Sequence, residues 1–171
     1  GYCSDGDYFG YIIMPFYLEG KLIYFNARNY MASGPKYNNP KVEDFGIGKS
    51  VLIYNRDALN IYDTVYVVES ILNARTLGDR ACSFGGKALS EIQINGIIKS
   101  TCKKVIILLD PDAYHEAIKL GLRLIDHKKV KVVLLPDDSD VNDLGRKATM
   151  KHVYSNRYLS YHDLIKLNNN L

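Results

Sequence analysis

Three groups of acidic side chains each follow an apolar run in this sequence. Glu69 comes directly after Val65-Tyr66-Val67-Val68. Asp110-Pro111-Asp112 comes directly after Val105-Ile106-Ile107-Leu108-Leu109, and Asp137, Asp138 and Asp140 follow the run from Val130 to Pro136. Carboxylates gathered within a few ångströms repel one another and resist ionising together. A divalent cation removes that penalty. Magnesium prefers oxygen ligands and typically takes one or two carboxylates, completing its shell with waters and substrate phosphates. Held in this way, such ions serve phosphoryl transfer by clamping the attacking and leaving oxygens. Pro111 has a fixed φ and no N–H, so it stiffens the turn that would present Asp110 and Asp112. A plainer reading stays open beside this one. Asp112 could simply cap the helix that follows, and residues 137–143 could be a solvated acidic loop.

These acids need elements to position them. The three preceding runs are apolar on both faces, as strands buried in a parallel sheet are. Helical patterns lie between them: a short one over 70–78, another over 88–99, and an amphipathic stripe from Tyr114 to Ile125. Alternating strand and helix predicts a parallel α/β sheet. In such sheets the C-terminal strand ends form the ligand crevice, so the acidic groups would converge on one edge. Upstream, Tyr11-Ile12-Ile13-Met14 and Leu22-Ile23-Tyr24-Phe25 flank Glu19-Gly20-Lys21 and predict a hairpin. Gly34, Pro35, Asn38, Asn39 and Pro40 make 33–40 an ordered loop. Val51-Leu52-Ile53-Tyr54 suits a strand or the start of a short helix. Ser160 with Asp163 forms a capping-box pattern ahead of a final helix. His127-Lys128-Lys129 with Lys131 reads as a solvated basic helix end.

Composition sets the outer bounds. The chain has 171 residues, 47% hydrophobic and 24% charged, which suits a packed core and argues against wholesale disorder. A net charge of +3 is too small to imply nucleic acid by itself. Cys3, Cys82 and Cys102 form no C-x-x-C pair, so no zinc site of familiar spacing is expected, and their odd number suits a reducing compartment. No apolar run is long enough to span a bilayer. Gly46-Ile47-Gly48-Lys49-Ser50 lacks the glycine that a phosphate-binding loop would need at Glu43. The 14 tyrosines include six between Tyr8 and Tyr37; such rings can stack bases, though most are expected to be half-buried sheet residues.

At its acidic groups the sequence resembles a Toprim domain, the metal-binding fold of DnaG-type primases, topoisomerases and some nucleases. The matching pieces are Val67-Val68-Glu69, Leu109-Asp110-Pro111-Asp112, and Leu135-Pro136-Asp137-Asp138-Ser139-Asp140-Val141-Asn142-Asp143-Leu144. Ser83-Phe84-Gly85-Gly86 resembles a primase turn that leads into a helix. Upstream, Met14-Pro15-Phe16, Asn26-Ala27-Arg28, Pro35-Lys36-Tyr37-Asn38-Asn39-Pro40 and Gly48-Lys49-Ser50 are similar to pieces of the small basic subdomain that precedes Toprim in DnaG-type primases. The resemblance covers roughly residues 8–147.

By that resemblance the chain is a DNA primase core, making short RNA primers on single-stranded DNA during replication by two-metal nucleotidyl transfer. Glu69, Asp110 and Asp112 would be catalytic and hold Mg²⁺ or Mn²⁺ with Asp140 assisting. Arg28, Lys36, Asn38 and Lys49 would contact nucleotide or DNA. Ribonucleoside triphosphates are the expected substrates and single-stranded DNA the expected template. A replicative helicase would bind through regions outside this chain, in the cytoplasm of a bacterial or phage-infected cell. The expected organisation is a mainly β basic subdomain over 1–60, a Toprim domain over 61–150, and a helical extension over 151–171. Asn73 and Asn142 stand where the family pattern has acids. They could still offer carbonyl oxygens to a metal, and they suggest a divergent member, viral or plasmid-borne. A Toprim nuclease, a topoisomerase-like strand cleaver and a non-catalytic nucleic-acid-binding module remain as alternatives.

Overall fold

The computed structural model describes residues 1–31, 34–86, 88–136 and 138–170, apart from the side chain of Lys49. Ser33 and Asp137 therefore lie outside the described residues. The chain opens with an antiparallel hairpin, β1 (Tyr11–Leu18) and β2 (Lys21–Asn29). Glu19 and Gly20 form its turn, both at positive φ (51° and 78°). Two such residues in succession give the turn whose twist matches the flanking strands. Two short helices follow, α1 (Val42–Phe45) and α2 (Ala58–Ile61).

Next comes a parallel sheet with helices between its strands. The elements run β3 (Thr64–Val68), α3 (Ile71–Leu77), β4 (Ala81–Ser83), α4 (Glu91–Lys99), β5 (Lys104–Leu108), α5 (Tyr114–Leu124), β6 (Lys129–Val132), α6 (Val141–Ser155) and α7 (Tyr161–Asn169). The strand order is β4-β3-β5-β6, and every pairing is parallel. The architecture is thus the expected parallel α/β sheet preceded by a small β subdomain. The apolar runs became β3, β5 and β6 because both faces of each are covered. One core joins Val65, Val67, Val105 and Ile107 to Ile97 of α4, Ile118 of α5 and Leu164 of α7. The other joins Val68, Ile106 and Leu108 to Ala74 of α3 and Val141 and Val153 of α6. Successive residues of one strand point to opposite faces, so each run must be apolar throughout.

A third core holds the hairpin. Met14, Phe16 and Tyr24 pack with Leu52 and with Ile71, the first residue of α3. The hairpin is therefore fixed to the helix that follows Glu69. Tyr24 also donates its hydroxyl to the Pro40 carbonyl at 3.0 Å. Burial of that ring is thereby compatible with its polar tip.

The structure corrects several local expectations. Val51–Tyr54 is neither a regular strand nor a helix: Val51 closes a 3-10 turn, and Tyr54 makes an isolated bridge to Ser83. The stretch after Val141 forms a 15-residue helix, α6, that the sequence pattern did not show and that runs across residue 150. Lys128 and Lys131 are not solvated. Lys128 Nζ donates to the carbonyls of Ser100 and Cys102, and Lys131 Nζ donates to that of Val153 at 2.8 Å. Burial pulls the Lys131 pKa down, and the carbonyl supplies the partner that a buried ammonium requires. The capping-box expectation at Ser160 and Asp163 holds.

Candidate active site

Connections leave β3 and β5 toward opposite faces of the sheet. The α3 helix packs with α6 in one core, whereas α5 packs with α4 and α7 in the other. β3 and β5 are neighbours, so their C-terminal ends flank a topological switch point, where open α/β sheets form a crevice. Glu69 directly follows β3, and Asp110 lies just beyond β5. Both line one cavity of about 370 Å³, together with Asp140 and Asp143. Glu69 Oε2 is buried.

The hairpin supplies the opposite wall. β2 carries Tyr24, Asn26 and Arg28 on one face, in the two-residue period of a strand. Tyr24 sits in the hairpin core, Asn26 is buried at the cavity wall, and Arg28 reaches the opening. The loop after Pro35 runs alongside β2. Asn29 N–H donates to the Lys36 carbonyl, and Asn38 N–H donates to the Ala27 carbonyl, both at 3.0 Å. Asn39 Oδ1 accepts from Ala27 N–H at 3.2 Å. This pairing brings Lys36 and Tyr37 beside Arg28, and all three line the cavity. Arg28 Nη1 donates to the Tyr37 hydroxyl at 3.2 Å, with the guanidinium 5.7 Å from the ring centroid. Acids on the sheet ends thus face cations on the hairpin.

Each expected site residue has a definite place. Glu69, Asp110, Asp140, Arg28 and Lys36 come together around the cavity. Asp112 is exposed in the 3-10 turn Pro111–Ala113 and is not among the cavity-lining residues, and it does not cap α5, whose N-cap is Ala113. Asn38 faces elsewhere, its side-chain amide donating to the Asp7 carbonyl at 3.3 Å. The Lys49 side chain lies outside the described residues. Asp140 lines the cavity but is also the N-cap of α6. Its Oδ1 accepts from Asp143 N–H at 2.8 Å, and Asp143 Oδ2 accepts from Asp140 N–H at 3.2 Å. Such a box satisfies amides that a helix start leaves open.

Asn73 and Asn142 do not serve as spare metal ligands. Asn73 is fully buried. Its Nδ2 donates to Asp110 Oδ1, and its Oδ1 accepts from Asn142 N–H, each at 3.2 Å. Asn142 Oδ1 accepts from the Thr76 hydroxyl at 3.2 Å. Both amides are used to join α3, the end of β5 and the start of α6. Asn26, Tyr37 and Asp143 are cavity residues that the sequence reading did not assign to the site. The alternation of β2 could have pointed to Asn26, two positions before Arg28.

Among the described residues, no three carboxylate, imidazole or thiol side chains are gathered as a metal-holding group. Glu69 and Asp110 nevertheless form an all-oxygen pair at one cavity wall, which fits the needs of magnesium when substrate phosphate and water complete its shell. The thiols offer nothing comparable: Cys82 and Cys102 are buried, and burial pushes Cys82 up to about 12.

No protein-family model matches the sequence, and no curated protein matches it. Solved structures do. The DnaG primase catalytic domain bound to ssDNA aligns with a TM-score of 0.75 at 20% identity, over 93% of this chain and 55% of that one. The chain has the fold of a DnaG-type primase catalytic core. The Aquifex aeolicus primase, with its zinc-binding and RNA polymerase domains, aligns with a TM-score of 0.72 at 23% identity, over 89% of this chain and 41% of that one. A DNA primase domain from Pseudomonas aeruginosa aligns at 0.70 and 23% identity, over 87% and 52%. The chain spans about half the length of these primase structures. No helix among the described residues is long and apolar enough to cross a membrane.

Proposed function

We propose that this chain is the catalytic core of a DNA primase, joining ribonucleoside triphosphates into short RNA primers on a single-stranded DNA template. One observation carries the reading: on a primase-core fold, Glu69 and Asp110 stand at the switch point of the sheet and share one cavity with Arg28 and Lys36. Nucleotidyl transfer needs those two kinds of group together. Cations offset the charge of the triphosphate and of the developing leaving group. Glu69 and Asp110 would hold the divalent metal, which when bound supplies further charge neutralisation at the reacting phosphate. Asp140, through its box with Asp143, positions the start of α6 beside them.

Arg28 and Lys36 divide the cationic work. Arg28 is oriented by Tyr37 and can grip phosphate with two parallel N–H groups. Lys36 acts as a mobile point charge. The template is a single strand, as in the DnaG catalytic domain solved with ssDNA. A helicase partner and a cytoplasmic, phage or plasmid setting belong to the same proposal. Cations opposite the carboxylates favour synthesis over strand cleavage, because an incoming triphosphate carries more charge than one backbone phosphate.

The test is incubation with mixed-sequence single-stranded DNA and labelled ribonucleotides, with and without Mg²⁺ or Mn²⁺. Metal-dependent RNA products support the proposal. Cleavage of the template without RNA product, read in the same gel, would replace it with a nuclease.

A further inference from the structure

A second cleft lies away from the carboxylates, against the β4 edge of the sheet. Its volume is about 590 Å³, and it is lined by Tyr62, Tyr66, Tyr154, Arg80, Arg146 and Asp79 among others. Arg80 immediately precedes β4, Tyr62 precedes β3, and Arg146 and Tyr154 lie eight residues apart on α6. Eight residues are close to two helical turns, so the two side chains share a face.

The two guanidinia are held in place without being neutralised. Arg80 sits 5.4 Å above the Tyr62 ring centroid. Arg146 packs against Gly78, where a Cβ would lie 3.2 Å from its Nη1 and where φ is +87°. Any other residue at Gly78 would be strained and would crowd the guanidinium. Among the described residues neither arginine has an ion pair, although Asp79 lines the same cleft. Both also lower the Tyr66 pKa against the rise that burial causes, so both act on one hydroxyl. Tyr154 is 78% exposed and offers an open ring face.

Unpaired guanidinia beside exposed aromatic faces suit an anionic ligand with flat rings. Arginines grip phosphate and tyrosines stack bases, which is how proteins hold single strands without reading sequence. The α6 helix connects the two regions: Asn142 and Asp143 line the catalytic cavity, whereas Arg146, Met150 and Tyr154 line this cleft. At about 1.5 Å per residue, Asn142 and Tyr154 are on the order of 18 Å apart along the helix. That is within reach of a strand extending from the catalytic cavity.

We propose that the Arg80–Arg146 cleft is a second binding site for single-stranded nucleic acid, engaging a strand that also passes the catalytic cavity. This rests on reading the chain as a strand-copying core. The phosphate sits between the two guanidinia, and a base stacks on Tyr154.

The experiment is fluorescence anisotropy with labelled oligo(dT) of about 20 and about 5 nucleotides, at several salt concentrations. The proteins are wild type, Arg80→Ala/Arg146→Ala and Tyr154→Ala. The arginines and Tyr154 are exposed, so these variants should keep their circular dichroism. The double variant should bind the long oligonucleotide about tenfold more weakly, with a shallower salt dependence by about 1.4 log units per decade, from 0.7 per lost phosphate contact. Tyr154→Ala should weaken it without changing the slope. Unchanged affinity and slope for the long strand would overturn the proposal. So would loss of free ATP binding in the double variant while the long strand binds normally, because the ligand would then be a nucleotide. Lys36→Ala, run alongside, reports on the catalytic cavity, so failure of one site is separable from failure of the other.

Discussion

Asn73 Nδ2 donates to Asp110 Oδ1 at 3.2 Å, inside a buried junction between α3 and the end of β5. The same side chain accepts from Asn142 N–H, so a single amide holds the carboxylate and the start of α6 in register. A carboxylate at this position could accept from Asn142 but could not donate to Asp110.

Asn73→Ala should therefore cost about 1–3 kcal/mol, the range for leaving a buried polar partner unsatisfied. Urea unfolding would read it directly. Asn73→Asp should behave differently. Two adjacent carboxylates repel, so its thermal midpoint in chelator should fall. Added Mg²⁺ should then raise that midpoint by more than it raises the wild type, since ligand binding to the folded state stabilises it. Equal metal-induced shifts in the two proteins would remove Asp110 from the metal site.

Lys36 and Arg28 carry the second prediction. Lys36→Ala should weaken single-strand binding and make its salt dependence shallower by about 0.7, the value for one lost phosphate contact. Arg28→Lys should lose affinity despite keeping its charge, because lysine cannot reproduce the planar fork set against Tyr37. An unaltered slope for Lys36→Ala would return that residue to the ordinary surface.

Acid should loosen α7 through Asp163. Its carboxylate accepts from Arg157, from Ser160 N–H and from the Ser160 hydroxyl, and these hold its pKa well below the ordinary 3.8. A depressed folded value means the stabilisation is complete above about pH 3.8 and is lost as pH falls through the folded pKa. Thermal midpoints of wild type and Asp163→Asn should differ at neutral pH and converge in strong acid. A difference independent of pH would rule out this source. The helix matters because fully buried Leu164 packs against Gly121 of α5.

Several elements were legible because one signal dominated each. β3, β5 and β6 announce themselves as short runs apolar on both faces, and α5 as a stripe. α6 was hidden because only Val141, Thr149 and Val153 are buried along it, and Gly145 breaks it with non-helical φ and ψ of 71° and 164°. β4 was hidden because Ala81-Cys82-Ser83 is too short to show a period. In the site, Glu69 and Asp110 were legible as acids directly after strands. The work of Asn73 was not, because it depends on Asp110 and Asn142, 37 and 69 residues away. Lys131 misled for a related reason: its partner, the Val153 carbonyl, belongs to the helix that the pattern did not reveal.

The most direct test of the whole account is primer synthesis by Asp110→Ala beside wild type, with Mn²⁺, ribonucleotides and single-stranded DNA, after circular dichroism has confirmed that both are folded. The account predicts metal-dependent RNA from the wild type and none from the folded variant. Equal synthesis by the two proteins would contradict it, because the cavity at the ends of β3 and β5 would then not be where the chemistry occurs.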